Sequence, residues 1–558
     1  MYIPTTKDEI KALRWEQLDI ILVSGDTYVD SPFDGIVVIG KTLIEAGYKV
    51  GIIAQPDYKS SVDIIRLGEP RLFWGISAGC VDSMVANYTA LKKKKRSDDL
   101  TPGEINNRRP DRASIVYTNL IKENFKNTKP IILGGIEASL RRIAHYDYWS
   151  DSVRRSIIFD AKADIIVYGM GEKTILEIAD CLNNDKDWSN VRGIGYIAKE
   201  SNNDFITLPS YEEVKDNKIK FIEMFNTFYK QKEPIPAQGL NQKHGNQWLI
   251  QNPPNYSPTQ KELDIIYDIK YERDVHPYYK KKGKVKAIET IQFSIVSHRG
   301  CFGECNFCSI AVHQGKLIQS RSSNSIIKEA EFISKLPTFK GYITDVGGPT
   351  ANMYMTHCKS SNNEKCHKSC LFPQNCKNLD FSHNEQIELL KQIRKIKGVK
   401  KVFISSGIRF DLVMADKYFG LDYLNEIVEH HTSGQLKIAP EHTQNNVLKK
   451  MAKPSNKELI EFKVEFYKAT KKIGKPQFLT YYFIAGHPGC RLDDMFKLKD
   501  FIKSELKIHP EQIQIFTPTP STYSTLMYYT ELDPFTLEKI FVEKDLKNKL
   551  KQKEAITL

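Results

Sequence analysis

The sequence predicts an α/β protein in two parts, a doubly wound parallel sheet followed by a complete or partial parallel (β/α) barrel. Five apolar runs alternate with helical patterns between residues 18 and 178. Six more strand-like runs, most of them separated by helical patterns, lie between residues 286 and 520. Seven of the ten cysteines fall between residues 301 and 376, so metal or thiol chemistry is expected in the second part.

The first series predicts a Rossmann-like domain over residues 1–200. Its strand-like runs are DIILVSG (19–25), KVGIIA (49–54), LFWGIS (72–77), KPIILGG (129–135) and ADIIVYG (163–169). They are almost continuously apolar, as strands buried on both faces of a parallel sheet are. Glycines follow several of them at the edge where such sheets bind ligands, but none has the GxGxxG spacing, so tight turns explain them equally well.

Residues 201–285 have weak periodicity and are predicted as a connecting region. It contains the Pro-rich stretch PPNYSPT (253–259) and the basic stretch KKKGKVK (280–286). A second basic run, LKKKKRSDDLTPGEINNRRP (91–110), interrupts the first domain and is predicted as an exposed loop.

The second series predicts a barrel over residues 286–525, with a short charged tail over 526–558. Its strand-like runs are ETIQFSIV (289–296), GYITDVGG (341–348), KKVFISSG (400–407), GQLKIAP (434–440), FLTYYFIAG (478–486) and QIQIFTPTP (512–520). Reactive groups are expected on the loops that follow these strands.

Composition limits the class of protein and its location. The chain has 558 residues, 41% of them hydrophobic and 27% charged, which excludes a disordered or collagen-like protein. It has no apolar run of about 18 residues, and its start resembles no signal peptide, so we expect a cytoplasmic protein with no membrane partner. The net charge of +13 fits either a lysine-rich surface or an anionic partner such as nucleic acid.

Three cysteines follow the first predicted barrel strand in a CxxxCxxC arrangement. They are Cys301, Cys305 and Cys308 in SHRGCFGECNFC. Three thiolates on one loop can hold three irons of a 4Fe-4S cluster and leave the fourth iron open. Zinc and unliganded thiols are the alternatives, although zinc more usually has CxxC pairs.

This motif, with Phe307 before the last cysteine, resembles the signature of radical S-adenosylmethionine (radical SAM) enzymes. The resemblance implies a partial (β/α)6 barrel. It also implies that S-adenosylmethionine binds the open iron and is cleaved reductively to a 5′-deoxyadenosyl radical, which abstracts hydrogen from a substrate. An electron donor such as flavodoxin or ferredoxin is the implied partner.

The same resemblance implies a set of S-adenosylmethionine contacts at the ends of the predicted strands. The cofactor-binding candidates are Phe307, Gly347, Gly348, Ser406, Arg409, Asp411 and Glu441. The stretches GHPG (486–489) and FTPTP (516–520) are expected near the adenine. Pro349 stands where the family's glycine-rich motif usually has Glu, and an ordinary turn or strand end is the alternative at each position.

More closely, the chain resembles the YgiQ family of radical SAM proteins from about residue 15 to 545. The stretches that carry this resemblance are GDTYVDSPFDG (25–35), GYKVGIIAQPD (47–57), GGIEASLRRIAHYDYW (134–149), RGCFGECNFCSIAVHQGKLIQSRS (299–322), GGPTANMY (347–354) and APEHT (439–443). The resemblance implies the reaction class but no substrate.

The first domain is similar to the cobalamin-binding-type domain that precedes many radical SAM barrels. GDTYVDSPFDG has no histidine and so lacks the axial-ligand motif DxHxxG, and we therefore do not expect cobalamin. A structural or substrate-binding domain is favoured. A polar and aromatic group in this domain either faces a barrel mouth or forms a surface ion-pair network; it comprises Glu137, Arg141, Arg142, His145, Tyr146 and Asp147.

Four more cysteines, Cys358, Cys366, Cys370 and Cys376, form an insert over residues 358–376. Their spacing matches neither zinc pairs nor a ferredoxin run, yet four thiols in one loop predict a second metal, either zinc or an auxiliary iron–sulfur cluster. His357 and His367 are alternative ligands, and free cysteines are the other interpretation. Cys80, Cys181 and Cys490 are isolated and are predicted to be ordinary packed residues.

The sequence thus predicts a radical SAM enzyme with an unknown substrate. The alternative is a non-catalytic iron–sulfur or zinc protein that binds nucleic acid through its basic surface. No aromatic-interleaved basic stripe or recognisable nucleic-acid module supports that alternative.

Overall fold

The computed structural model describes residues 1–360, 366 and 368–557, which divide into two compact units. The first unit contains Met1–Ser257, Ile269–Gln292 and Thr519–Ser521. The second contains Pro258–Asp268, Phe293–Pro518 and the chain from Thr522 onward. No helix in the described part of the chain is both long and apolar enough to cross a membrane.

The first unit is built on one nine-stranded sheet with short ribbons beside it. Its strands are β1 (Ile20–Ser24), β2 (Val29–Asp30), β3 (Val50–Ala54), β4 (Phe73–Ser77), β5 (Ile131–Gly134), β6 (His145–Asp147), β7 (Ser152–Arg154), β8 (Ile165–Val167), β9 (Ile194–Ala198), β10 (Ile206–Leu208), β11 (Leu240–His244), β12 (Gln247–Gln251) and β13 (Asp274–Val275). Its helices are Lys7–Ala12, Gly35–Glu45, Ser83–Asn87, Ala113–Asn124, Gly135–Leu140, Ile157–Ala161, Glu172–Asn183, Tyr211–Asp216, Lys218–Lys230, Pro277–Lys280 and Ile288–Ile291.

Five parallel strands form the core of this sheet in the order β3-β1-β4-β5-β8. Every residue of β1, β3 and β4 is buried, which explains why these runs are apolar throughout. The strand order reverses between β1 and β4, the topological position at which doubly wound sheets usually bind ligands. The five strands predicted from the sequence are therefore confirmed.

The sheet continues through β9, β12, β11 and β10, which the structure places within the first unit. The sequence predicted β10, β11 and β12 as part of the connecting region 201–285 because periodicity is weak there; β11, for example, has the polar sequence LNQKH. Asn241, Gln242 and His244 are nonetheless buried. The Gln242 side chain accepts a hydrogen bond from Ala144 N at 2.8 Å and donates one to Pro209 O at 3.0 Å. Satisfied amides let a polar strand be buried without an apolar pattern.

The second unit contains short strands and the helices that cover them. Its strands are β14 (Ser294–Val296), β15 (His298–Arg299), β16 (Gln319–Ser320), β17 (Tyr342–Ile343), β18 (Asp345–Gly347), β19 (His357–Cys358), β20 (Leu379–Asp380), β21 (Lys401–Val402), β22 (Gln435–Glu441), β23 (Phe478–Ala485) and β24 (Gln512–Ile515). Its helices are Gln260–Asp268, Ile310–His313, Ser323–Ser334, Asn384–Arg394, Phe410–Ala415, Gly420–Glu426, Asn445–Met451, Asn456–Ile473, Leu492–Phe501, Tyr523–Thr530 and Leu546–Thr557, with π-helical turns at Ile427–His431 and Ile502–Leu506.

Six parallel strands follow one another around this unit in chain order. β14 pairs with β18, β17 pairs with β21, and β22, β23 and β24 pair in sequence. A parallel bridge from Ile408 to Ile438 joins the two groups. β17 and β18 are two halves of one strand interrupted at Thr344. This is the order of a partial (β/α)6 barrel, and the predicted fold class is confirmed.

The last helix, Leu546–Thr557, belongs to the barrel unit, whereas the sequence predicted a short tail. Ala555 and Ile556 lie in the core of the unit. Gln552 accepts a hydrogen bond from Gly486 N at 2.9 Å, and Lys549 donates to Tyr528 Oη at 2.9 Å. The charged composition concealed this face because long polar side chains can bury their aliphatic parts.

Candidate functional site

The predicted cluster loop follows β15 at the start of the barrel. Gly300 has φ +85°, and a Cβ there would lie 2.2 Å from Leu317 O, so only glycine allows this close turn. Gly303 N donates to Cys301 Sγ at 3.4 Å, and Cys308 N donates to Cys305 O at 2.9 Å. The loop thus brings the three thiols into one folded segment.

The thiols of Cys301, Cys305 and Cys308 are partly buried. Burial, and then the charge of Cys305, raises the pKa of Cys308 to about 12 and also raises the pKa of Cys301. In the described residues, no three His, Cys, Asp or Glu side chains are close enough to hold a single metal ion. A 4Fe-4S cluster does not require this, because each thiolate binds a different iron. Three thiols on one folded loop fit such a cluster, with the fourth iron left without a cysteine.

The two glycines at the end of β18, Gly347 and Gly348, differ in how much space surrounds them. A Cβ on Gly348 would lie 2.6 Å from His298 Nε2 and 2.7 Å from His298 O. Close packing against His298 of β15 thus requires this glycine, independently of any ligand. Gly347 has more room, since a Cβ there would lie 3.4 Å from Ser406 Oγ.

Ser406 donates a short hydrogen bond to Asp345, a residue that the sequence analysis did not select. Asp345 Oδ1 also accepts from Ser405 N at 2.8 Å and Ser406 N at 3.2 Å. One carboxylate therefore fixes the turn that presents Ser406. Its signal was the Asp of DVGGPT, two residues before the first selected glycine.

Arg409 and Asp411 form a buried two-point ion pair. Arg409 Nε lies 2.9 Å from Asp411 Oδ1, and Nη2 lies 2.5 Å from Oδ2. The third nitrogen, Nη1, lies 3.8 Å from Cys305 Sγ. Burial is the largest single influence and acts to raise the pKa of Asp411, but the charge and hydrogen bonds of Arg409, with the charge of Lys453, together hold the pKa below its usual value.

Three further residues, Asn352, His383 and Asp416, fix the backbone of Arg409, and the sequence analysis missed all three. Arg409 N donates to Asn352 Oδ1 at 2.8 Å, and Asn352 Nδ2 donates to Arg409 O at 3.0 Å. His383 lies 3.1 Å from Asn352 through Nε2 and 2.8 Å from Asp416 through Nδ1. His383 and Asp416 lie in none of the sequence stretches that carried the prediction, and only Asn352 lies in one, GGPTANMY.

Glu441 ends β22 in a strained conformation, with φ +68° and a register shift in the strand just before it. Burial raises the pKa of its carboxyl group, and the charges of Lys453 and Arg409 partly oppose this. Glu441 also acts electrostatically on Cys308. A non-glycine residue held at positive φ is a common feature of functional sites.

Phe307 packs near the loops after β23 and β24. Its ring lies 6.3 Å from that of His487, which in turn lies 5.2 Å from that of Phe516. Burial lowers the pKa of His487 to about 3, so its imidazole is neutral. His487 Nε2 lies 2.6 Å from Ser524 Oγ, and Ser524 N donates to Asn306 O at 2.8 Å. These contacts place the cysteine loop against the stretches GHPG (486–489) and FTPTP (516–520).

The last part of the four-cysteine insert, residues 370–376, packs beside the cluster loop. Cys370 and Cys376 lie in an apolar cluster that also contains Cys301 and Phe302. Burial raises the pKa of Cys370 to about 12. Lys316 donates to the carbonyl oxygens of Cys366, at 3.3 Å, and of Lys368, at 3.2 Å. His367 lies outside the described residues.

In the first unit, side chains of the protein itself occupy the sheet edge between β1 and β4, where doubly wound sheets usually bind ligands. Arg109 is buried and pairs with Asp26 and, at 3.0 Å, with Asp98. Gln55, at φ +44°, donates to Gly25 O at 3.1 Å and to Thr101 Oγ1 at 2.7 Å.

Backbone contacts close the same edge further. Thr27 N donates to Leu100 O at 3.1 Å, and a Cβ on Gly25 would lie 2.1 Å from Ala78 O. The predicted exposed loop at 91–110 therefore covers the strand ends with its segment 98–109. The polar groups at this edge are therefore paired with one another, as Arg109 is with Asp26 and Asp98 and Gln55 is with Thr101.

The polar group after Gly135 is a buried ion-pair network within the first unit, which corrects the surface alternative. Arg141 donates to Asp82 at 2.7 Å and to Asp147 at 3.1 Å. Glu137 accepts from Ser83 N at 2.8 Å and Ser114 N at 3.1 Å. Burial lowers the pKa of His145 to about 3. The group joins the segments around the sheet rather than presenting charges to water.

Two solved structures have a similar fold. Radical S-adenosylmethionine methyltransferase TsrM from Kitasatospora setae, with cobalamin and a 4Fe-4S cluster bound, aligns with TM-score 0.53 and 12% identity over 90% of this chain and 73% of that chain. The cobalamin-dependent S-adenosylmethionine radical enzyme OxsB, with aqua-cobalamin bound, aligns with TM-score 0.51 and 14% identity over 92% of this chain and 56% of that chain. These likenesses support the fold alone, a Rossmann-like domain followed by a radical SAM barrel.

Sequence relatives extend over the whole chain. A UPF0313 protein of Fusobacterium nucleatum is 55% identical over 559 residues, which cover 100% of this chain and 98% of the relative. A UPF0313 protein of Thermotoga neapolitana is 50% identical over 560 residues, with the same coverage. A family profile described as Radical SAM N-terminal matches residues 2–294. The chain therefore belongs to the UPF0313 family, the YgiQ-type family of radical SAM proteins.

Proposed function

We propose that this protein is a radical SAM enzyme in which Cys301, Cys305 and Cys308 hold a 4Fe-4S cluster. When bound, the cluster supplies an electron that cleaves S-adenosylmethionine to methionine and a 5′-deoxyadenosyl radical, which abstracts hydrogen from a still unknown substrate. The observation that carries the proposal is one folded loop with three partly buried thiols, located after the first strand of a six-stranded parallel barrel. The thiols must lose their protons on loading, so cluster assembly is favoured by higher pH.

The strand ends around this loop supply the groups proposed to bind S-adenosylmethionine. Glu441 offers a buried carboxyl group to the amino group of the cofactor, and Gly347 offers backbone next to it. Ser406 is presented by Asp345, while Phe307 contributes an aromatic surface beside His487. Gly348 keeps the β18 loop close to His298, so its contribution is to position its neighbours.

The four-cysteine insert is proposed as a second metal site, either zinc or an auxiliary iron–sulfur cluster. Its support is the position of Cys370 and Cys376 against Cys301 and Phe302. Metal and sulfide analysis of the purified chain separates the alternatives. About four irons indicates one cluster, about eight indicates two, and zinc indicates a structural site.

The first unit is proposed to be a structural or substrate-binding domain without cobalamin. This proposal rests on the paired groups that fill the edge between β1 and β4. We further propose a cytoplasmic protein that receives electrons from a donor such as flavodoxin or ferredoxin. Nucleic-acid binding without catalysis is the less favoured function.

The proposal is tested by assaying 5′-deoxyadenosine formation from S-adenosylmethionine with anaerobically reconstituted, reduced protein. We expect wild-type protein to form 5′-deoxyadenosine and Cys305→Ala to form none, because an iron would lose its thiolate. Cys181→Ala is the matched control, since Cys181 lies on a helix of the first unit and should leave the yield unchanged. An unchanged yield in Cys305→Ala would show that the site assignment is wrong.

A further inference from the structure

We propose that Arg409 and Asp411 are a paired set of positioning residues that tunes the reduction potential of a cluster held by Cys301, Cys305 and Cys308. The inference rests on the proposed function, because it assumes that these thiols hold the cluster. It assigns the two residues a role different from the S-adenosylmethionine contacts predicted from the sequence.

The geometry of the guanidinium carries this inference. Its Nε and Nη2 atoms are both used by Asp411, at 2.9 Å and 2.5 Å. Its Nη1 atom lies 3.8 Å from Cys305 Sγ and 2.9 Å from the point where a Cβ of Gly303 would be. Since Gly303 N donates to Cys301 Sγ, the guanidinium edge lies directly on the cysteine loop.

The pair is also held rigidly and is shielded from water. Arg409 and Asp411 are both buried. Asn352 fixes the backbone of Arg409 through hydrogen bonds of 2.8 Å and 3.0 Å. A buried charge acts more strongly than one in water, and a fixed one acts at constant distance. Such partners of metal ligands are known to tune metal sites.

The sign of the effect follows from charge. Reduction adds one negative charge to a cluster, so the Arg409 cation favours the reduced form and raises the potential. The Asp411 carboxylate favours the oxidised form and partly cancels that effect. Removing one member of the pair should therefore shift the potential in the direction opposite to removing the other.

The experiment is a potentiometric titration of the reconstituted full-length protein, monitored by electron paramagnetic resonance. In Arg409→Gln, we expect the reduced-to-oxidised ratio at a fixed potential to fall at least about tenfold, about 59 mV for one electron. In Asp411→Asn, we expect a shift of opposite sign. Arg409→Lys keeps the charge but loses the two-point geometry, and should fall between wild type and Arg409→Gln.

The matched control is Arg394→Gln, which breaks an arginine–carboxylate pair with Glu426 in the same unit. Its potential should equal that of wild type. Unchanged potentials in Arg409→Gln and Asp411→Asn at full iron content would overturn the inference. So would a raised KM for S-adenosylmethionine with an unchanged potential, which would identify the residues as cofactor contacts.

The remaining outcomes also give a decision. If Arg409→Gln fails to retain iron, the sign of the Asp411→Asn shift decides, and any shift to lower potential overturns the inference. If wild-type protein shows a measurable potential but forms no 5′-deoxyadenosine, the proposed function fails while the potential shifts still test the pair.

Discussion

Both units contain parallel strands whose carboxyl ends form an edge, and the two edges differ in what occupies them. In the first unit, Asp26 pairs with Arg109, and Gln55 donates to Gly25 O and to Thr101 in the loop above it. In the barrel, the corresponding edge carries the thiols of the cysteine loop and the strained, buried Glu441. The two edges thus differ in their chemistry: charged and amide groups are paired at the first, whereas thiols and a buried carboxyl group lie at the second.

A likeness of fold does not by itself transfer a cofactor from one protein to another. TsrM and OxsB were solved with cobalamin bound, and both align with nine-tenths of this chain. The segment 98–109 of this chain instead covers its sheet edge with a buried arginine. Function has to be argued from the site, and here the site argument differs between the two units.

The largest expected effect comes from breaking the buried Arg109 pair. Arg109→Ala leaves the carboxylates of Asp26 and Asp98 without their cation, and we expect the first unit to lose about 3–5 kcal/mol of stability. Amide hydrogen exchange in β1 and β4 measures this locally. Arg155→Ala, which breaks a half-exposed pair with Asp160, is the control and should cost about 1 kcal/mol or less. Equal losses of stability in the two variants would contradict a special stabilising role for the buried Arg109 ion pairs at this edge.

Cobalamin binding to the first unit is a second property that tests the contrast between the two strand-end edges. Because paired groups fill the edge between β1 and β4, we expect no saturable change in the visible spectrum when hydroxocobalamin is titrated into wild-type protein. Reconstitution of the iron–sulfur cluster in the same sample should still succeed. Retention of cobalamin at one equivalent per chain after gel filtration would show that the 98–109 segment opens, and the contrast between the edges would then be wrong.

The sequence predicted the elements whose residues form continuous local patterns. The five parallel strands of the first sheet have almost continuous apolar runs, the six barrel strands recur as strand-like runs mostly separated by helical patterns, and Cys301, Cys305 and Cys308 share one short motif. What it missed depends on long-range contacts. β11 is polar yet buried, and helix Leu546–Thr557 is highly charged yet packed.

The same limit applies within the candidate site. Asp345 and Asn352 act on Ser406 and Arg409 from more than fifty positions away in the chain. Arg409 was selected from the sequence, but its pairing with Asp411 and its approach to Cys305 depend on backbone positions that no local pattern specifies. Sequence spacing can thus identify candidate residues near a motif. Their hydrogen-bond and ion-pair partners can be identified only once the fold is known.

The smallest expected effect compares two strained strand-end residues, Gln55 after β3 and Glu441 at the end of β22. Glycine relieves positive φ at either position, a gain of about 1 kcal/mol. Gln55 also has hydrogen bonds to Gly25, Thr101 and Thr27, so Gln55→Gly should be destabilising by about 1–2 kcal/mol overall.

Glu441→Gly should instead stabilise the barrel unit slightly, because it relieves the positive φ, while abolishing 5′-deoxyadenosine formation, because it removes the carboxyl group proposed to bind the cofactor. Glu441→Gln separates the two effects, since it keeps the backbone strain and removes only the charge. We expect it to lose activity without the gain in stability. Thermal unfolding of each variant beside the 5′-deoxyadenosine assay measures both quantities. If Gln55→Gly and Glu441→Gly change stability in the same direction and by the same amount, the two edges are not used differently.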